Sequence, residues 1–266
     1  LQKRRAFCKS WRVCTLAIYF RMLPRFPILV AANRDEQYDR PSAPPGLLEN
    51  TPKIIAGRDL RAGGTWLGVN EHGVLAAMLN RRVNSHNVSL PGARSRGLLC
   101  IDLLARRSAA EAETFMCDHQ GSYNPFTALV ADRHDAHVAY NIGGNIMRQK
   151  LEPGLHVFSS AAEFDLHSAK ADRAYRLFGG IGKDLRENCD GNTETIAALR
   201  SVLGDHSLPD GSMDPGDAIC VHRDKSGTVS SSIVLFAPSE SRFQCFHCAG
   251  APCRNFFGDA IEIDIR

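Results

Sequence analysis

The chain has 266 residues, 44% of them hydrophobic and 23% charged, with 22 glycines and 13 prolines. That composition excludes disorder, collagen-like repeats and coiled coil, and no apolar run reaches the ~18–20 residues of a membrane helix. The formal charge is +3, but residues 1–34 hold eight basic residues and no acidic one, so the remainder is net acidic and lacks the basic stripe of a nucleic-acid binder.

Residues 1–12, LQKRRAFCKSWR, read as a leader or non-native extension, and residues 13–266 as a single domain. Arg4-Arg5-Ala6-Phe7-Cys8-Lys9 is close to a twin-arginine export motif, but the apolar stretch behind it runs only from Val13 to Phe20. A cleavable secretory signal is therefore not expected, and the leader lacks the amphipathicity of a transit peptide. A better reading makes Val13 a GTG initiator, so that removal of the starting Met exposes Cys14 as the free N-terminus. Intact mass of protein made from its native start region tests this.

Cys14–Phe20 and Pro27–Ala32 are compact apolar runs with the length of neighbouring strands. Arg40–Lys53 carries four prolines and a glycine and reads as a loop. Thr65–Val69 and Val74–Leu79 flank Asn70-Glu71-His72-Gly73, a hairpin pattern. Ser95–Arg107 and Ala109–His119 have helical periodicity. Strands are expected at Phe126–Ala131, His137–Asn141, Ile146–Lys150 and Leu155–Phe158, then helices at Asp165–Phe178 and Thr193–Val202. Closing strands are expected at Ala218–His222, Thr228–Phe236 and Phe243–Phe246. Segregated strands and helices with hairpin-like neighbours predict an α+β fold with mainly antiparallel sheets. Because several strands are apolar on both faces, two sheets stacked between helix layers is the economical arrangement.

Nine scattered cysteines form no even disulfide framework, which points to free thiols in a reducing, cytoplasmic setting. Cys14 opens the first strand, and Ala31-Ala32-Asn33-Arg34-Asp35-Glu36 closes the second. A thiol beside a fixed guanidinium has its thiolate favoured, and a carboxylate can orient that guanidinium or an amine. Asn80, ending the hairpin, can donate to a developing oxyanion, an effect of roughly 3 kcal/mol when well aligned. A free α-amine on Cys14 would have a pKa near ~8, suited to a base at neutral pH. Each of these residues also has a plain structural reading: Cys14 as a buried strand residue, Arg34 paired to a carboxylate, Asn33 and Asn80 as turn residues.

Ala-Ala-Asn-Arg-Asp-Glu (31–36), Gly-Gly-Thr-Trp-Leu-Gly (63–68), Leu79-Asn80, Pro153-Gly154-Leu155-His156 and Ile219-Cys220-Val221-His222 with Gly227-Thr228 resemble the NRDE family, also called the Transport and Golgi organization protein 2 family. Val13-Cys14-Thr15-Leu16 is similar to that family's Met-Cys opening. The resemblance implies an N-terminal-nucleophile hydrolase-like fold, a four-layer αββα sandwich, with bile-salt and penicillin-amide hydrolases as the nearest analogy. It implies Cys14, Arg34, Asp35 and Asn80 as catalytic positions; Asn33, Glu36 and Trp66 beside them are candidate substrate-binding residues, Trp66 as core or pocket wall. The chain departs from those hydrolases at Ser159-Ser160-Ala161, where they carry a second oxyanion Asn, and Gly227-Thr228-Val229 replaces a common Gly-Thr-Arg.

Two functions stand. One is a cysteine amidohydrolase acting on a small-molecule amide or ester. The other, carried by the resemblance alone, is a non-catalytic carrier of haem or lipid using the same cleft. No cofactor is required, and haem would be a transported ligand; His134, His137, His156, His206 and His222 are its conceivable ligands. No metal set is expected, because the single Cys245-Phe246-His247-Cys248 motif with Cys253 lacks a second pair at zinc spacing. Cys220 and His222 share one side if their segment is a strand, which a core strand explains equally well.

Overall fold

The computed structural model describes residues 14–81, 92–141, 146–160, 168–187 and 191–266. The expected leader, with Val13, lies outside the described residues. Strands β1 (Thr15–Phe20), β2 (Ile28–Gln37), β3 (Ser42–Asn50), β4 (Lys53–Asp59), β5 (Leu67–Asn70) and β6 (Leu75–Asn80) precede helices α1 (Arg96–Leu104) and α2 (Ala109–Asp118). Strands β7 (Phe126–Ala131), β8 (Ala136–Asn141), β9 (Ile146–Lys150) and β10 (Gly154–Ser159) lead into α3 (Ala169–Glu187) and α4 (Asn192–Leu203). The last strands are β11 (Ser226–Ala237), β12 (Arg242–Ala249) and β13 (Ile261–Asp264). One sheet has the order β10-β1-β2-β11-β12-β13 and the other β3-β4-β5-β6-β7-β8-β9, with every pairing antiparallel.

The period-2 alternation of the strands builds the layers. In β1, Leu16, Ile18 and Phe20 meet Val69, Leu75, Ala77 and Leu129 of the second sheet. Ala17 and Tyr19, on the opposite face, pack with Ala174 and Phe178 of α3 and Leu199 and Leu203 of α4. The outer face of the second sheet does the same through Ala76, Met78, Ala128 and Val130 against Leu99 and Leu103 of α1 and Met116 of α2. Both faces of each sheet are thus covered, which is why the central strands read as continuous apolar runs. The result is the αββα sandwich expected from the pattern and from the resemblance.

Four local expectations are corrected. Arg40–Lys53 is not a loop: Ser42–Asn50 forms β3, an edge strand whose register shifts between Ala43 and Gly46 and again between Leu47 and Glu49. Pro44 and Pro45 fall within the first irregularity, where no ladder N–H is needed. Ala218–His222 is not a strand; it is a buried connector with one isolated bridge, His222 to Gly227. Its apolar content comes from packing against α4 and β2, which alternation cannot distinguish from a strand. β2 runs on to Gln37, past the end of the apolar run at Ala32, so the whole of Asn33-Arg34-Asp35-Glu36 is regular strand. Helix α3 continues through Gly179-Gly180 to Glu187, because Gly182 rests against Tyr19 and Met22 and Leu185 is buried; residues 165–167 of the expected helix lie outside the described residues.

Candidate active site

Because Asn33–Glu36 continues β2, its side chains alternate across the sheet. Arg34 and Glu36 follow Ile28, Val30 and Ala32 on the face toward the second sheet, whereas Asn33 and Asp35 follow Leu29 and Ala31 toward the helices. The four-residue motif is therefore divided between two environments.

On the inner face lies a cleft of about 280 Å³, lined by Cys14, Arg34, Glu36, Arg40, Asp59, Trp66 and Asn80 among others. Cys14 enters it from the start of β1. The Asp35 backbone N–H lies 3.4 Å from Cys14 Sγ and donates to it. Burial pushes the Cys14 thiol up to about 11, helped by the Asp35 charge and opposed by that N–H, Arg34 and Lys170. With its amine tied in a peptide bond to Val13, Cys14 is thus a protonated thiol at neutral pH.

Arg34 is buried, its guanidinium carbon 4.4 Å from the centre of the Trp66 ring and its Nη2 3.8 Å from Asp59 Oδ2. Its Nη1 is buried with no hydrogen-bond partner among the described residues. Burial lowers the Arg34 pKa, with Cys14, Glu36 and Asp59 opposing that shift. Such a donor, held over an indole ring, is placed to take an oxygen of a ligand. Arg40 pairs more tightly with Asp59, at 2.8 Å through Nε and 2.7 Å through Nη2, and also reaches Glu36 at 3.7 Å. Burial raises the Asp59 pKa, but the Arg40 hydrogen bond and the N–H groups of Ala62 and Arg61 overcome it and leave the carboxylate below its ordinary range.

The Gly63-Gly64-Thr65-Trp66 motif forms the rim. A Cβ on Gly64 would lie 2.2 Å from the Gly97 carbonyl carbon, so only glycine lets this loop touch the first turn of α1. Thr65 N–H donates to the Gly97 carbonyl at 3.0 Å. That contact brings Arg96 and Gly97 to the cleft and seats Trp66 under Arg34. Asn80, exposed at the end of β6, also lines the cleft.

On the helix-facing side, the Asp35 carboxylate accepts from Thr228 Oγ1 at 2.7 Å and from Lys170 Nζ at 3.1 Å. Burial raises the Asp35 pKa, with the Lys170 charge and the Thr228 hydroxyl opposing. Asn33 is engaged elsewhere: its Nδ2 donates to the carbonyls of Leu203 and Ile219, and its Oδ1 accepts from the Ser231 hydroxyl. The structure therefore brings Cys14, Arg34, Glu36, Trp66 and Asn80 together around one cleft. Asp35 contributes its backbone there, and the Asn33 amide is spent on anchoring the segments after α4 and before β11. At the expected departure, Ser160 N–H donates to the Cys14 carbonyl at 3.3 Å, and Ala161 lies outside the described residues.

Arg40, Asp59, Arg96 and Lys170 were not singled out in the sequence. Lys170 alone left a signal, since it sits at four-residue spacing with Ala174 and Phe178 on the buried stripe of α3, where a charge requires a partner.

The sequence profile of the Transport and Golgi organisation 2 family matches residues 13–246. The chain belongs to that family. Among relatives, it is 30% identical over 252 residues to the Transport and Golgi organization protein 2 homolog of Bos taurus and 31% identical over 246 residues to that of Homo sapiens, covering 82% of this chain and 87% of each relative. The match to the Mus musculus homolog is 32% identical over 158 residues, 54% of this chain and 56% of that protein. Among solved structures, this Transport and Golgi organisation 2 family member is similar to penicillin V acylase from Agrobacterium tumefaciens, with a TM-score of 0.57 at 14% identity over 95% of this chain and 99% of that one. A mutant conjugated bile acid hydrolase from Clostridium perfringens gives a TM-score of 0.52 at 12% identity, covering 95% of this chain and 92% of that one. At these identities the likeness establishes the N-terminal-nucleophile hydrolase-like fold. Among the described residues, no helix is long and apolar enough to cross a membrane.

Proposed function

We propose that this protein is an N-terminal cysteine amidohydrolase acting on a small-molecule amide or ester. The observation that carries the reading is the placement of Cys14 Sγ in a polar cleft, with an N–H donor at 3.4 Å and Arg34 lining the same cleft. Removal of the residues before Cys14 would free its α-amine. That amine would take the thiol proton, overcoming the burial that otherwise keeps Cys14 protonated. The thiolate would then add to the carbonyl carbon, with the Asn80 amide donating to the oxyanion. Collapse breaks the C–N or C–O bond, the proton passes from the α-amine to the leaving group, and water hydrolyses the resulting thioester to a carboxylic acid. Arg34 Nη1 would hold an oxygen of the substrate.

Solved neighbours of this fold bear the names penicillin V acylase, conjugated bile acid hydrolase and N-acylethanolamine-hydrolyzing acid amidase. Penicillin V, a conjugated bile acid and an N-acylethanolamine are therefore the first amides to assay with protein beginning at Cys14. Turnover that disappears in Cys14→Ala, with the circular dichroism spectrum retained, is the expected result; equal turnover in that variant sinks the reading.

The carrier reading uses the same cleft, but the lining gives it little support. Among the described residues the lining includes no histidine, and Arg34, Glu36, Arg40, Asp59 and Arg96 make its walls charged. Saturable haem binding that persists in both the processed and the unprocessed chain would favour the carrier over the hydrolase.

A further inference from the structure

On the helix-facing side of β2, away from the cleft, three distant chain segments converge on a group of thiols and imidazoles. The connector before β11 supplies Cys220 and His222, the turn after β12 supplies Cys253, and the loop after α4 supplies His206. Cys220 Sγ lies 3.7 Å from Cys253 Sγ and 3.6 Å from His222 Nε2, and His222 Nε2 lies 3.2 Å from Cys253 Sγ. The ligand atoms of His206, His222 and Cys253 all fall within 4.8 Å of one another. His206 stands edge-on to His222, with ring centres 5.9 Å apart. Its Nδ1 lies 3.3 Å from the Gly204 carbonyl, a contact that leaves Nε2 as its ligand atom.

We propose that Cys220, His222 and Cys253, completed by His206, bind one zinc-class divalent cation. With Zn–S near ~2.3 Å and Zn–N near ~2.0–2.1 Å, tetrahedral coordination places two sulfurs about 3.8 Å apart and a sulfur and a nitrogen about 3.5 Å apart. The separations of 3.7, 3.6 and 3.2 Å match that triangle without a change of fold. Two thiolates and two imidazoles form a set that suits zinc and disfavours calcium and magnesium, which take oxygen ligands.

The surroundings are built for a fixed site. Cys253 backbone atoms would lie 3.2 Å from a Cβ on Gly204, so the turn and the end of α4 approach closely. Cys220 N–H donates to the Asp205 carbonyl at 2.8 Å, and the Asn33 amide clamps the carbonyls of Leu203 and Ile219 directly before the ligand-bearing segments. The cation would lock these segments together and hold Val221, whose N–H donates to the Thr228 hydroxyl that in turn bonds Asp35. The paired cysteines of the Cys245-x-x-Cys248 motif do not join it: Cys245 lies in the core between the sheets, and Cys248 Sγ reaches the Gly250 carbonyl at 3.7 Å.

The test is elemental analysis of the full chain purified under reducing conditions from zinc-supplemented cells, followed by cobalt titration of the chelator-stripped protein. About one zinc per chain is expected, together with thiolate-to-cobalt charge-transfer absorption and tetrahedral cobalt bands. Cys253→Ser and His206→Ala alter partly buried and exposed side chains, so folding can be verified by circular dichroism. Cys253→Ser should abolish the charge transfer from that sulfur and lower bound zinc at least tenfold, and His206→Ala should weaken zinc retention against a chelator. Substoichiometric metal with no thiolate charge transfer in the wild type overturns the proposal. So does a Cys220–Cys253 disulfide that persists in the reduced, metal-supplemented protein and is detected by peptide mapping.

Discussion

Lys170 Nζ lies 3.1 Å from Asp35 Oδ2, with the two side chains 1% and 2% exposed, so α3 places a buried ion pair directly behind the strand that carries the cleft. Neither group has water to fall back on. Lys170→Met should therefore strand the Asp35 carboxylate and cost about 3–5 kcal/mol, read as a lower urea midpoint. The double variant Lys170→Met with Asp35→Asn should recover part of that loss. If Lys170→Met alone is neutral, the pair does not hold the fold as the geometry indicates.

Burial pushes the Cys14 thiol up to about 11 while its amine remains in peptide linkage. The folded pKa is raised above the unfolded value, so the thiol form's contribution to stability is complete below pH 9.0 and is lost as pH rises toward about 11. Alkylation of Cys14 by iodoacetamide, followed by peptide mapping, should accelerate about tenfold per pH unit from 7 to 10 without levelling off. A plateau at neutral pH would mean that the thiolate already forms there. In protein beginning at Cys14, the neighbouring ammonium should shift the profile to lower pH.

Gly64 has no room for a side chain against Gly97. Gly64→Ala should force the loop and the first turn of α1 apart, costing about 1–3 kcal/mol or more in chemical denaturation. Because that contact also seats Trp66, the variant should lose ligand affinity in the cleft beyond what its stability loss explains, measured well below its unfolding midpoint.

Asn33→Ala should remove the donors from the Leu203 and Ile219 carbonyls and the acceptor from Ser231, costing about 1–3 kcal/mol as buried polar groups are left unsatisfied. If Asn33 acts in anchoring, affinity for a cleft ligand in the folded variant should change little. A large affinity loss at unchanged stability would instead place its side chain in ligand binding.

Covalent geometry wrote much of this fold into the sequence. Leu16, Ile18 and Phe20 alternating with Ala17 and Tyr19 mark a strand buried on both faces, and such strands require two sheets enclosed by helices. The motifs at 31–36 and 63–68 were legible by another route, as a resemblance to a known family, and it was that resemblance which implied Cys14, Arg34 and Asn80 as residues of one site. What the sequence did not determine is which polar residues are buried and what satisfies them. Apolar periodicity alone ends the strand at Ala32, because Asn33-Arg34-Asp35-Glu36 is polar. It continues because Lys170, Thr228, Leu203 and Ile219 arrive from 135 to 193 positions away to pair with Asp35 and Asn33. The division of that motif between cleft and helix layer, and the meeting of His206, Cys220, His222 and Cys253, are likewise products of tertiary packing. Local periodicity follows from the chain's own geometry, whereas the partners of buried polar groups exist only once distant segments have folded together.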